Sequence, residues 1–139
     1  VHPLVVIGSD GWALAPYGVL GRSRPHPRSY GSFPRILGRY VREEKIMTLG
    51  QAIQKMTSQT ASKFGIPLRG WLREGFFADL VVFDPERVSD RAIWEDPHRY
   101  PEGIPYVLVN GEVVIDEGEH TGRLPGRILK KEKPIRLVY

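Results

Sequence analysis

Leu4-Val5-Val6-Ile7-Gly8-Ser9-Asp10-Gly11 is the stretch on which the fold reading turns. An apolar run continues without alternation and stops at a polar acid flanked by glycines. Such a run predicts a strand covered on both faces, the habit of parallel sheets. In barrels of alternating strands and helices, reactive groups sit at the C-terminal ends of strands. Asp10 occupies that kind of position. Gly8 and Gly11 permit a tight turn or the close approach of a ligand. Asp is also a common turn residue and helix cap. From these residues alone, Asp10 stays open between a turn acid and a reactive one.

Outward from this stretch, Trp12 to Pro34 reads as loop, because glycines and prolines break every periodicity. A loop of that length is usually functional or disordered. Trp12, Tyr17 and Tyr30 favour an ordered loop that lines a site, and His26-Pro27-Arg28 lies within it. Phe33, Ile36, Leu37, Tyr40 and Val41 recur at helical spacing and predict a helix from Phe33 to Glu44, with Pro34 in its first turn. A second helix starts after Thr48, a plausible N-cap, with Leu49, Ala52, Ile53 and Met56 as its apolar stripe. A third runs from Thr60 to Phe64 and stops at Gly65, with Pro67 beyond.

Near Pro67 the grammar changes. Asp79 to Pro85 predicts a strand bounded by acids. Arg87 to Glu102 is irregular. Ile104 to Val109, Asn110-Gly111 and Glu112 to Asp116 predict a hairpin, since Asn-Gly takes the positive φ angles of a type I′ turn with little strain. Gly118 to Gly126 reads as loop, and Arg127 to Tyr139 as a basic tail. The expected organisation is a strand-plus-helices segment over 1–67 and a small β domain over 68–139.

The 139 residues carry a formal net charge of +4 and no cysteine. Without cysteine there is no disulfide framework and no thiolate ligand or nucleophile. That is compatible with a reducing, cytoplasmic setting. Apart from Arg22, Arg24 and Arg28 and the tail Arg127, Lys130, Lys131, Lys133 and Arg136, the basic residues are scattered among acids, and none show aromatic interleaving, so a solvated surface is expected rather than nucleic-acid binding. No apolar run is long enough to span a bilayer, so no membrane partner is expected.

Taken in sequence, several motifs form a recognisable set. They are Ile7-Gly8-Ser9-Asp10-Gly11, His26-Pro27-Arg28, Gly31-Ser32-Phe33-Pro34-Arg35-Ile36-Leu37-Gly38, Phe77-Ala78-Asp79-Leu80-Val81-Val82-Phe83-Asp84-Pro85, Val109-Asn110-Gly111-Glu112-Val113-Val114 and Gly122-Arg123-Leu124-Pro125-Gly126-Arg127. Together they resemble the C-terminal portion of the N-acyl-D-amino-acid deacylases (D-aminoacylases) of the amidohydrolase superfamily. The Ala-Asp-Leu-Val-Val-Phe and Val-Asn-Gly pieces are shared widely in that superfamily. The Gly-Ser-Asp-Gly, His-Pro-Arg and Gly-Ser-Phe-Pro-Arg set is more specific to the deacylase branch.

The resemblance implies an α/β plus β fold. The chain would supply the last strand and helices of a (β/α)8 barrel, then the C-terminal half of a small β-sandwich domain. It also implies zinc-dependent hydrolysis of the amide bond of N-acyl-D-amino acids. Asp10 would then be the catalytic proton acceptor and donor, and Arg28 would bind the substrate's α-carboxylate. His26 would either touch substrate or shape the loop. Preference for D over L substrates rests on the resemblance alone.

The metal ligands of such enzymes begin with a His-x-His motif, which is absent here. His2, His98 and His120 are isolated and read as surface or loop residues, and Asp79 and Asp84 as turn caps. No metal ligand is therefore assigned to this chain, and the zinc ligands are expected in an N-terminal barrel segment. The expectation is a C-terminal fragment that is inactive without that segment. Alternatives are another amidohydrolase activity, of dihydropyrimidinase or dipeptidase type, and a non-catalytic β-rich module that self-associates through open strand edges.

Overall fold

Thr48 starts a helix for a plain reason: its hydroxyl accepts the Gln51 N–H at 3.2 Å while the Gln51 side chain accepts the Thr48 N–H at 2.9 Å. Two otherwise orphaned donors are satisfied reciprocally. The computed structural model describes residues 2–130. The basic tail beyond them, with Lys131, Lys133 and Arg136, lies outside the described residues.

Three α-helices precede the sheet: α1 (Arg28–Arg35), α2 (Leu49–Met56) and α3 (Ser58–Phe64). Gly65 ends α3 in the left-handed conformation, φ 64°, as its sequence position predicts. The first helix differs from expectation. It begins at Arg28 rather than Phe33, and Pro34 lies inside it rather than in its first turn. Proline has no N–H to give the preceding turn. From Ile36 to Glu43 the ladder continues in the wider π register, closing with the Glu44 N–H on the Arg39 carbonyl at 2.8 Å.

Downstream lies one antiparallel meander: β1 (Leu80–Val82), β2 (Tyr106–Val109), β3 (Glu112–Asp116) and β4 (Glu119–His120), in that spatial order. Asn110 and Gly111 take φ 51° and 85° and close the β2–β3 hairpin. A bulge lies between Val107 and Leu108. β4 falls in the stretch expected to be loop. Glu117 and Gly118, at φ 48° and 89°, make the turn that returns it to β3.

Leu4–Ile7, which the sequence predicts as a barrel strand, does not form a strand among the described residues. A strand of a closed barrel has neighbours on both edges, and among the described residues the sheet is antiparallel and built only from later strands. The stretch instead lies against α2 and α3. The Ile7 N–H reaches the Lys55 carbonyl at 3.5 Å. The buried Lys55 ammonium donates to the carbonyls of His2 at 2.8 Å and Val5 at 2.5 Å. Leu4 and Val5 keep their side chains exposed.

The core is small. Leu37, Ala52 and Val88 are buried together, with Ile36, Val41, Met47, Ile53, Met56, Phe83 and Ile104 packed around them. It joins the π-helical segment, α2 and the residues after β1. Arg42 fixes that junction by donating to the carbonyls of Pro85 at 3.1 Å and Val88 at 2.7 Å. Among the described residues no helix is long and apolar enough to cross a membrane.

Candidate functional site

The loop after Ile7 lies against the first turn of α1, and Gly11 is what lets it. A Cβ on Gly11 would come 2.9 Å from the Ser29 Cα and 3.1 Å from the Arg28 carbonyl oxygen, distances at which backbone must move. The Trp12 N–H donates to the Ser29 hydroxyl at 3.4 Å and ties the loop down. Asp10, one residue earlier, has φ 48°. Asp is among the few side chains that tolerate this left-handed region.

That geometry places the Asp10 carboxylate 3.0 Å from the Arg28 guanidinium, and both side chains stay accessible, at 86% and 45% exposure. Arg28 is the first residue of α1 rather than a loop residue. His26 closes the same turn: its Nδ1 accepts the Arg28 backbone N–H at 3.0 Å. Its imidazole meets the Trp94 ring in an edge-on contact, centroids 4.4 Å apart. A cleft of about 250 Å³ opens over this group, with Asp10, Trp12, Arg24, His26, Arg28 and Ser29 in its lining.

The structure thus brings Asp10, Arg28 and His26 together. Trp12 lines the cleft but is largely exposed, and Tyr17 is exposed outside its lining. Tyr30 packs edge-on against His98 and Tyr100, centroids 5.8 and 5.9 Å away. Its hydroxyl and the His98 Nε2 are buried without a hydrogen-bond partner among the described residues, and His98 lies in a loop, as its sequence setting predicts. Burial pushes the Tyr30 phenol up from its ordinary range. It does the same to Tyr100, with Tyr17 and Tyr30 adding to it. His2 and His120 act locally, accepting the N–H groups of Leu4 and Gly122.

Asp84 caps a turn as read, accepting the Glu86 N–H at 2.9 Å. Asp79 does not. It pairs with Arg69 and accepts the N–H of Asn110 at 2.8 Å, which holds the hairpin tip. Sequence reading missed Trp94, Ser29 and Arg24. Trp94 stands among acids in an irregular stretch, and a lone indole there was its only signal.

Chemically, the site offers a carboxylate able to take and return a proton and a guanidinium fork shaped for a second carboxylate. It does not offer a metal centre: among the described residues no three His, Cys, Asp or Glu side chains converge to hold one. A catalytic zinc needs about three protein ligands and an open position. Asp10 alone does not meet that need.

The amidohydrolase family profile matches residues 2–115. The N-acyl-D-glutamate deacylase of Alcaligenes xylosoxydans xylosoxydans is 45% identical over 134 residues, which cover 96% of this chain and 26% of that protein. A D-aminoacylase of the same organism is 47% identical over 126 residues, covering 91% and 25%. The crystal structure of N-acyl-D-glutamate deacylase from Bordetella bronchiseptica, complexed with zinc and a phosphonate mimic of the reaction's tetrahedral intermediate, is 48% identical. It superposes with a TM-score of 0.80, covering 94% of this chain and 26% of that one. The chain therefore spans about a quarter of the length of the relatives it matches. The chain belongs to the amidohydrolase family.

Proposed function

We propose that this chain carries the proton-transfer and carboxylate-binding residues of a zinc-dependent amidohydrolase that hydrolyses the amide bond of N-acyl-D-amino acids. The observation that carries the reading is the Asp10–Arg28 pair, held at 3.0 Å at an open cleft. Three features support it: the match to the family over residues 2–115, the deacylase relatives, and the two side-chain chemistries such a substrate requires.

In this reading Arg28 exchanges Asp10 for the α-carboxylate of the substrate. The fork binds a carboxylate through two parallel hydrogen bonds, which fixes orientation as well as position. Asp10, released from the ion pair, accepts the proton of the attacking water as the new carbon–oxygen bond forms. It returns that proton to the amide nitrogen as the carbon–nitrogen bond breaks. His26 keeps the Arg28 backbone in place through its Nδ1. Zinc belongs to the proposal as a cofactor whose ligands come from an N-terminal barrel segment. The described residues do not supply its site.

The same reading places a barrel strand at Leu4–Ile7 once neighbouring strands are present. It divides the chain near Pro67 into a barrel end and one half of a β-sandwich. The chain alone is expected to be inactive.

The test is release of free amino acid from N-acetyl-D-glutamate and N-acetyl-D-methionine, against their L isomers, by the complete zinc-loaded enzyme. Turnover of the D substrates, abolished by Asp10→Asn, is the expected result. Undiminished turnover by Asp10→Asn, or a preference for cyclic amides, would overturn it.

A further inference from the structure

A strap runs along the first helix and ends at the candidate site. The segment from Pro85 to Glu95 starts at Arg42, which holds the carbonyls of Pro85 and Val88. It follows the π-helical segment and α1 back toward the N-terminus of α1. Its approach is close enough to require glycine twice. A Cβ on Gly38 would lie 2.7 Å from the Val88 carbonyl oxygen, and one on Gly31 would lie 2.9 Å from the Asp90 Cβ. Between these points Arg35 pairs with Asp90 at 2.9 Å. That hydrogen bond, with the nearby Tyr40 hydroxyl adding to it, holds the guanidinium pKa above its ordinary value.

The strap ends on the site. The Trp94 ring meets His26 at 4.4 Å, and Arg24 donates to the Glu95 carbonyl at 2.5 Å. A second cleft, of about 540 Å³, lies between strap and helix, with His26, Arg28, Ser32, Asp90 and Trp94 among its lining. Trp94 is itself largely exposed. Its contact with His26 is therefore a local one, outside the buried core.

We infer that Trp94 is a positioning residue for the Arg28 carboxylate clamp and acts through His26. The chain of contacts is direct. Trp94 sets the plane of the imidazole, and the imidazole Nδ1 accepts the N–H of Arg28. Arg28 then presents its guanidinium beside Asp10. Edge-on aromatic contacts have a preferred geometry, so the imidazole is oriented as well as covered. Small misplacements of a substrate-binding group are costly, up to about 100-fold for about 1 Å. The inference rests on the role proposed for Arg28 above and adds to it a residue from beyond β1.

The test uses the complete zinc-loaded enzyme with N-acetyl-D-glutamate, and calorimetric binding of the same compound to the metal-stripped enzyme. Arg28→Ala is the reference and should raise both KM and Kd by about 10- to 100-fold, the range expected for a lost charged hydrogen-bond pair. Trp94→Ala should raise KM and Kd in the same direction, by about tenfold, with a smaller change in kcat. Trp94→Phe, which keeps a ring edge for His26, should restore both. Trp94→Leu, apolar but ringless, should behave as Trp94→Ala and covers the case in which alanine loosens the strap. If Arg28→Ala raises KM and Kd while Trp94→Ala and Trp94→Leu leave both unchanged, the inference is wrong and the functional reading stands. The inference also fails if Trp94→Ala lowers kcat at constant KM, the mark of a merely structural role. Unchanged KM and Kd in Arg28→Ala would overturn the functional reading and this inference with it.

Discussion

Among the aspartate–arginine pairs of this chain, one in the helical half and one in the β half are built in opposite ways. Asp10 and Arg28 meet in the helical half at 3.0 Å with 86% and 45% of their side chains exposed. Asp79 and Arg69 meet in the β half with 34% and 11% exposed. The second pair is embedded in further bonds. Asp79 accepts the Asn110 N–H at 2.8 Å, and Arg69 donates to the Asn110 side-chain oxygen at 2.5 Å. The Arg69 guanidinium also lies 4.2 Å above the Phe77 ring. Exposed ion pairs contribute about 0–1 kcal/mol, because water competes for both partners. Sheltered pairs behave differently: removing one partner strands the other in a site that water reaches poorly. The same two residue types thus form an open, solvent-reached contact in one half and a sheltered clamp in the other. The exchange proposed for Asp10 and Arg28 requires a pair of the first kind.

The largest expected effect tests the open pair. Asp10→Asn in the complete enzyme should lower kcat by about 10²–10⁴-fold, the usual contribution of a positioned acid–base group. Asparagine tolerates the positive φ at this position. Stability should therefore move by no more than about 0.5 kcal/mol, as for an exposed substitution. Rate assays paired with urea titration check both halves of the statement. A matching loss of stability would turn Asp10 into a structural residue and erase the contrast.

Arg69→Ala tests the clamp. It leaves Asp79 and the Asn110 side chain short of a partner and uncovers Phe77. A destabilisation of about 2–3 kcal/mol is expected, below the full cost for a deeply buried pair because Asp79 keeps some solvent. Activity per folded molecule should not change. Urea midpoints read the first and active-site-normalised rates the second.

A smaller effect compares the pairs directly. A double-mutant cycle on stability with Asp10→Ala and Arg28→Ala should give a coupling below about 1 kcal/mol that shrinks as salt is added. The equivalent cycle at Arg69 and Asp79 should give more and respond less to salt. Equal couplings would show that burial does not separate the two.

The two halves were also unequally legible in the sequence. The β2–β3 hairpin could be read because Asn110-Gly111 fixes the turn locally. The capping box at Thr48 and the stop at Gly65 were local for the same reason. The candidate site was legible as a list of residues and not as an arrangement. The sequence predicts Arg28 in a loop, since the apolar stripe starts only at Phe33; the helix nevertheless begins there, its first N–H groups bonding to the His26 and Pro27 carbonyls. Trp94 reaches His26 across the fold, a pairing that no spacing encodes. Leu4–Ile7 shows the converse case. Its apolar run describes an environment of neighbouring strands, and without them the segment lies on α2 and α3 with Leu4 and Val5 exposed.

The smallest effect concerns the same helix, two residues beyond Arg28, and shows where the openness of the site ends. The Tyr30 hydroxyl is buried without a partner among the described residues, and burial raises the phenol's pKa, as it does for Tyr100. The sign follows from proton counting. Above about pH 10 an unfolded tyrosine loses its proton while the folded one keeps it, so the folded state binds more protons there. Stability from these groups is intact below pH 10 and declines as pH rises past it toward the raised folded values. Alkaline titration of phenolate absorbance should show a late component above the ordinary tyrosine range, coincident with falling stability. Tyr30→Phe should remove part of that late component and flatten the decline. At neutral pH it should leave stability equal or higher by up to about 1 kcal/mol, because it deletes a buried hydroxyl that has nothing to bond. Loss of stability in Tyr30→Phe at neutral pH would mean that the hydroxyl has a partner, and that α1 is tied to it as firmly as Arg69 is tied to Asp79.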